Sequence, residues 1–177
     1  MRVDDFDYSL PEELIALEPA DKRDSSRLLH LDSEGDIRHY KFSDLLEFFG
    51  PDEIIVLNDT KVFPAAMTAI RPARQVGGGA EVSVDINLHK LVRKTEDEVV
   101  WRAFVRPAKR VSAGDQLHIT ENFTAKVLQR DGAEADLVFS CSPVELMSKL
   151  ECAGRIPLPP YISRKRAIED NDRTRYQ

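Results

Sequence analysis

The rhythm of hydrophobic and polar positions changes twice along the chain, near residue 64 and again near residue 143. Between those points apolar side chains recur in short runs at hairpin spacing. That pattern predicts strands over 67–71, 80–92, 98–105, 116–120, 123–130 and 135–140, with Gly114-Asp115 and Asp131-Gly132 as turns. Several short antiparallel strands in about 80 residues predict a small closed barrel. Gly77-Gly78-Gly79 reads as a flexible turn, because no helix start and no Lys-Ser/Thr pair follows it as a phosphate loop would require.

The first 63 residues have a mixed texture. Pro11 to Leu17 reads as a short helix, with proline in the first turn followed by Glu12 and Glu13, where negative charge suits a helix N-terminus. Leu28 to Leu31 and Ile37 to Phe42 read as a strand and its return, joined by the turn residues Asp32 to Gly35. Ser43 caps a second helix that stops at Gly50-Pro51. Ile54-Ile55-Val56-Leu57 is a continuous apolar run of the kind found in a central strand covered on both faces. Ligands of open α/β sheets gather at the carboxyl ends of strands, which makes Asn58, Asp59 and Thr60 candidates; a plain Asx-type turn is the alternative.

After residue 143, Val144, Leu146, Met147 and Leu150 restore helical spacing, and Gly154 to Ile162 follows with three prolines in four residues ahead of Tyr161. Each proline fixes φ, removes an N–H and restricts the residue before it, so this reads as an extended strap that no helix crosses. The expected fold is therefore an incomplete α/β (α+β) domain with an inserted antiparallel β-barrel. Residues 1–63 begin the α/β domain, 64–142 form the barrel, and 143–177 are a return helix and strap leading back.

Composition narrows the classes. With 42% hydrophobic and 32% charged residues among 177, the chain suits one full core or two small ones. No apolar run reaches the roughly 20 residues of a membrane span, and acidic residues stand where a signal peptide needs an apolar core, so a cytoplasmic protein without membrane contact is expected. Cys141 and Cys152 lack CxxC spacing and read as free thiols. His30, His39, His89 and His118 fall on separate predicted strands, so no metal site can be argued. The net charge of −6 is uneven: residues 1–63 carry 7 Lys/Arg against 16 Asp/Glu, leaving 18 against 15 for the rest. The later basic residues cluster as Arg106, Lys109 and Arg110, and as Arg164, Lys165 and Arg166. Such groups suit a phosphate backbone or simply a solvated face.

Four blocks taken together carry a resemblance. They are Asp24 to Leu29, Val56 to Ala65, Val105 to Arg110, and Pro157 to Ile162 with Arg175-Tyr176-Gln177. This order resembles the S-adenosylmethionine:tRNA ribosyltransferase-isomerase family of queuosine biosynthesis, over essentially the whole chain. The resemblance implies transfer and isomerisation of the ribosyl unit of S-adenosylmethionine onto 7-aminomethyl-7-deazaguanine in tRNA, giving epoxyqueuosine. It implies S-adenosylmethionine as co-substrate, tRNA as partner, no metal or redox cofactor, and a monomeric full-length enzyme. Family members continue well past the Tyr-Gln pair, so the chain is expected to be an N-terminal half, inactive alone. A non-catalytic tRNA-binding module is the alternative.

The proposed chemistry suggests roles for particular residues. A base must remove a proton acidified by the sulfonium, and a carboxylate suits that task, which favours Asp59. Asn58, Thr60, Lys61 and Tyr161 are the expected substrate-binding residues. Tyr161 would stack on a base or on adenine, or else pack against the neighbouring prolines. Arg106, Lys109, Arg110 and Arg164 would hold tRNA phosphates. Lys61 stands where the family usually has arginine, which keeps the charge and loses the bidentate fork.

Overall fold

Alternation decides the middle of the chain. In the computed structural model, which describes residues 2–75, 78–169 and 171–176, six strands close into an antiparallel barrel: β3 (Ala66–Arg71), β4 (Val82–Lys94), β5 (Val99–Arg106), β6 (Gln116–Thr120), β7 (Phe123–Asp131) and β8 (Glu134–Phe139), in the order β3-β4-β5-β8-β7-β6. Inward positions are apolar and fully covered: Met67 and Ala69, Val84 and Ile86, Ala103 and Val105, Leu117, Ala125 and Val127, Leu137 and Phe139. Closure removes the sheet edges that an open six-stranded sheet would leave unpaired. The seam between β3 and β6 is the thinnest, with Ile70 opposite His118 as its paired position.

The barrel has two unlike ends. At one, helix α1 (Pro143–Ala153) brings Leu146 and Leu150 into the core beside Phe123 and Phe139. Ser142 caps it by accepting from the Glu145 N–H, and Pro143 occupies the first turn, where a missing N–H costs nothing. At the other end lie the loop after β3, the connection from β5 to β6 and the turn from β7 to β8. Arginines tie these loops together. Arg74 grips Asp115 with two hydrogen bonds of 2.8 and 2.7 Å, and Arg130 donates to the carbonyls of Val111 and Gly132.

The compact units divide at Thr60/Lys61 and at Pro159/Pro160, so α1 and the extended strap 154–159 belong with the barrel, and the return to the first unit begins at Pro160 rather than at residue 143. The physical cause is the apolar face of α1, which finds its cover in the barrel core. The strap is held by a bridge in which Arg155 and Ala66 exchange hydrogen bonds of 2.7 and 3.0 Å. Its end differs from expectation: helix α2 (Pro160–Ser163) starts at the last proline, a residue that tolerates the first helical position well.

The first unit comprises 1–60 with 160–175. Strands β1 (Arg27–Leu31) and β2 (Ile37–Lys41) form a two-stranded sheet with Leu28 opposite Tyr40. One of its faces is covered where Phe48 meets His30 and Tyr40, with ring centroids 4.6 and 4.9 Å apart. The predicted helices at 11–17 and from Ser43 are instead 3₁₀ turns, Glu12–Leu14 and Phe42–Phe48. Short segments without a broad apolar face do not extend into α-helix. The predicted buried strand is also corrected. Residues 54–57 pair with no strand among the described residues, and Ile54, Val56 and Leu57 are 89, 90 and 79% exposed. A β-branched run needs neighbouring strands and covering layers to become a central strand, and these residues supply neither.

A clamp holds the later segment in this unit. Arg166 forms two hydrogen bonds of 2.9 and 2.6 Å to the fully buried Asp172, which opens helix α3 (Asp172–Arg175), and donates to the Leu17 carbonyl at 3.2 Å. Arg175 pairs with Glu18 at 2.9 Å, Lys165 with Glu12 at 2.9 Å, and Arg23 donates to the carbonyls of Thr174 and Arg175. Of the predicted Gly77 to Gly79 turn, Gly77 lies outside the described residues, as does Gln177 of the closing motif. Gly78 and Gly79 adopt φ of +73° and +113°, which glycine alone adopts freely.

Candidate functional site

Asn58, Asp59 and Thr60 form an exposed turn directly after the apolar run. The Asn58 side-chain oxygen accepts the Thr60 N–H at 2.9 Å, an Asx turn that fixes the backbone around Asp59. The Asp59 carboxylate itself is exposed. Lys61 opens the barrel unit and lies 3.8 Å from Glu151 of α1. Tyr161, on α2, is half exposed, and Arg164 lies exposed in the turn after it. Of the second basic cluster only Arg164 has no structural partner among the described residues. Lys165 and Arg166 are committed to the clamp, a long-range pairing invisible in a run of three basic residues.

Arg106, Lys109 and Arg110 do come together. Arg106 ends β5, the Arg106–Pro107 peptide bond is cis, and Ala108–Arg110 is a single 3₁₀ turn. All three side chains are exposed, and among the described residues none has a carboxylate within ion-pair distance. The neighbouring arginines are different in kind. Arg74 is neutralised by Asp115, whose carboxyl is held below the usual range chiefly by that hydrogen bond. Arg102 is bound by Asp136 at 2.7 and 3.1 Å, while Gln129 donates to the same carboxylate at 2.6 Å. The Asp136 carboxyl is lowered for the same reason, the Arg102 hydrogen bond first. The Arg106–Arg110 turn thus gathers three exposed cations that no fixed pair engages, with the exposed Asp85 opposite Arg106 in the β4–β5 register.

A cleft of about 830 Å³ opens at the thin seam, lined by Arg71, Arg74, Ser112, Asp115, Gln116 and His118. Arg71 is buried, donating to the carbonyls of Pro72 and Ala80 at 2.6 and 2.7 Å. The sequence reading missed Arg71, Arg74, Arg102, Asp115 and Asp136. The strand alternation places Arg102 outward beside the inward Ala103, and this was the available signal. The acid that each arginine meets depends on the register of another strand. Among the described residues no group of three or more metal-ligating side chains is gathered, no helix is long and apolar enough to cross a membrane, and Cys141 and Cys152 are free thiols, the former pushed up by burial.

The sequence profile described as "Queuosine biosynthesis protein" matches residues 3–177. The chain is 46% identical over 178 residues to an S-adenosylmethionine:tRNA ribosyltransferase-isomerase of Maricaulis maris, covering all of this chain and 49% of that protein. It is 43% identical over 179 residues to the protein of the same name from Parvibaculum lavamentivorans, again covering all of this chain and 49% of the relative. A crystal structure of an S-adenosylmethionine tRNA ribosyltransferase from Thermotoga maritima aligns at 33% identity over 84% of this chain and 48% of that one, with a TM-score of 0.36. The chain thus spans about half the length of the curated relatives it matches. With a profile match from residue 3 to residue 177, this chain belongs to the queuosine biosynthesis protein family.

Proposed function

We propose that this chain supplies half of an enzyme that transfers and isomerises the ribosyl group of S-adenosylmethionine onto 7-aminomethyl-7-deazaguanine in tRNA, giving epoxyqueuosine and releasing adenine and methionine. The observation that carries the reading is the family match along the whole chain, with relatives named for that activity at 46 and 43% identity. In this reading the Asx turn presents Asp59 as the base that removes the proton beside the sulfonium, with Asn58, Thr60 and Lys61 around the substrate. Tyr161 stacks on adenine or on the modified base. Arg106, Lys109, Arg110 and Arg164 take tRNA phosphates. The positive sulfur already acidifies the neighbouring C–H, so S-adenosylmethionine serves as co-substrate and the reaction calls on no metal or redox cofactor. The complete enzyme works as a monomer in the cytoplasm, where tRNA is modified.

Turnover requires the other half of the relatives' length, and the exposed run 54–57 supports this requirement. Its unpaired backbone and apolar side chains suit pairing with a strand from that half. The test supplies the chain with a polypeptide spanning the unmatched half of the Maricaulis maris relative, S-adenosylmethionine, and tRNA carrying the modified base. Mass spectrometry of the digested tRNA should show epoxyqueuosine with both halves and none with this chain alone, and Asp59→Asn should lower the rate by 100-fold or more. Two folded, associated halves that yield no product would refute the proposal. The closed barrel with its three exposed cations also favours a second reading, RNA binding without chemistry by this chain. That reading gains if salt-dependent tRNA binding occurs without S-adenosylmethionine binding.

A further inference from the structure

The outer wall of the barrel carries an arrangement that the reading above does not use. Along β5, Ala103 and Val105 point into the core, so Arg102, Phe104 and Arg106 point outward, roughly 7 Å apart from one to the next. Phe104 is a large apolar ring 47% exposed to water on a barrel whose own core is already full. Beside it on β4, a register shift between Leu88 and Lys90 makes His89 the extra residue of a bulge. The His89 ring lies over Phe104 with centroids 4.4 Å apart and planes 24° apart, a parallel stack. Glu134 on β8, opposite Phe104 in register, stands 3.4 Å from His89 Nε2.

The stacked pair lies outside the core, and nothing in the core rests on it. Its surroundings point to what covers it. On the side toward the loops, the strand continues from Phe104 into Arg106 and then Lys109 and Arg110, the three cations without carboxylate partners among the described residues. On the other side Arg102 is held by two hydrogen bonds to Asp136, to whose carboxylate Gln129 also donates, forming a fixed polar border rather than a mobile charge. A flat ring surface next to three exposed cations matches a polymer that carries aromatic bases on a phosphate backbone.

We propose that the His89–Phe104 pair is a nucleobase-stacking platform, on which an unpaired RNA base rests while its backbone runs toward Arg106, Lys109 and Arg110. The proposal names a contact for the tRNA of the reading above and in that sense rests on it. Binding energy then divides: the cations hold any backbone, and the rings respond only to a base.

The test uses the full chain, a single-stranded RNA octamer carrying one 2-aminopurine, and a fully abasic octamer of equal charge. Wild-type protein should quench the 2-aminopurine and bind the base-bearing octamer several-fold more tightly than the abasic one. Phe104→Ala should lose the quench and weaken binding of the base-bearing octamer about 5- to 100-fold. Its affinity for the abasic octamer should stay at the wild-type value, and Phe104→Tyr should restore the quench. His89→Ala should reduce it in part. Phe104 lies on the surface, so an unchanged thermal midpoint checks that the variant is folded. Phe104→Ala with wild-type quench and affinity would overturn the platform while leaving the tRNA reading intact. Wild-type protein that binds neither octamer at low salt would overturn the platform and the phosphate contacts of this turn, while product formation by the two halves tests the transfer reading separately.

Discussion

Replacing Gly154 by alanine should destabilise the barrel unit by about 1–5 kcal/mol, and the reason is space rather than conformation. Gly154 has φ −84° and ψ 163°, which any residue adopts. By conformational entropy alone alanine would therefore stabilise, by about 0.4–1 kcal/mol. A Cβ at this position, however, would overlap the Pro64 carbonyl oxygen and stand 2.6 Å from that of Leu150. Both are backbone atoms, held by the bond from the Gly154 N–H to Leu150 at 2.7 Å and by the adjacent Arg155–Ala66 bridge. Relief of the overlap must part the strap from β3. Overpacking of this kind costs about 1–3 kcal/mol, and weakening the two bridge hydrogen bonds adds about 0.5–1.5 kcal/mol each. These terms exceed the entropic gain. Urea unfolding followed through Trp101, the one tryptophan, reads the barrel directly because that ring packs on Phe63 with centroids 5.4 Å apart. Gly50→Ala is the control, since its Cβ would meet only a side-chain oxygen at 3.6 Å. If Gly154→Ala unfolds within about 0.5 kcal/mol of wild type, the close approach of strap and strand is not what holds this region.

Other predictions follow from the same geometry. Leu146→Ala, at a fully buried site where α1 enters the core, should cost about 2–5 kcal/mol in the same urea assay. The Arg166 hydrogen bonds hold the Asp172 carboxyl down at about 2, against an ordinary 3.8. A depressed carboxyl stabilises above its unfolded value and loses that contribution as pH falls through the folded one, so the clamp should weaken by roughly 1–2 kcal/mol between about pH 4 and pH 2. Amide exchange at 172–175 across that range reports it, and Asp172→Asn should remove the dependence. Replacing Arg106, Lys109 and Arg110 together by glutamate should weaken tRNA binding and lower the slope of log affinity against log salt by about 3. An unchanged slope would remove this turn from the interface.

The barrel was legible because its strands need only local alternation: polar and apolar positions at period two placed all six to within a few residues of the observed bounds. Period two also marked Phe104 as outward between two arginines, yet the stack with His89 depends on a bulge that no local pattern announces. The clamp was hidden for a related reason. Arg166 and Arg175 meet Leu17 and Glu18 across about 150 residues of sequence, and a run of basic residues looks the same whether it binds phosphate or its own chain. The run 54–57 was misread because hydrophobicity reports what a segment can bury and says nothing of whether partners are present. Asn58 was legible as a turn former, and the turn is formed.

The division of the chain into a self-sufficient barrel and a first unit with an unpaired apolar run is the claim on which the rest depends, and residue-resolved hydrogen exchange tests it most directly. Amides of β5, β7 and β8 should be strongly protected in the chain alone, while those of 54–57 should exchange at nearly unprotected rates and slow once the other half of the relatives' length is added. Protection of 54–57 in the isolated chain, at the level of the barrel strands, would contradict the account.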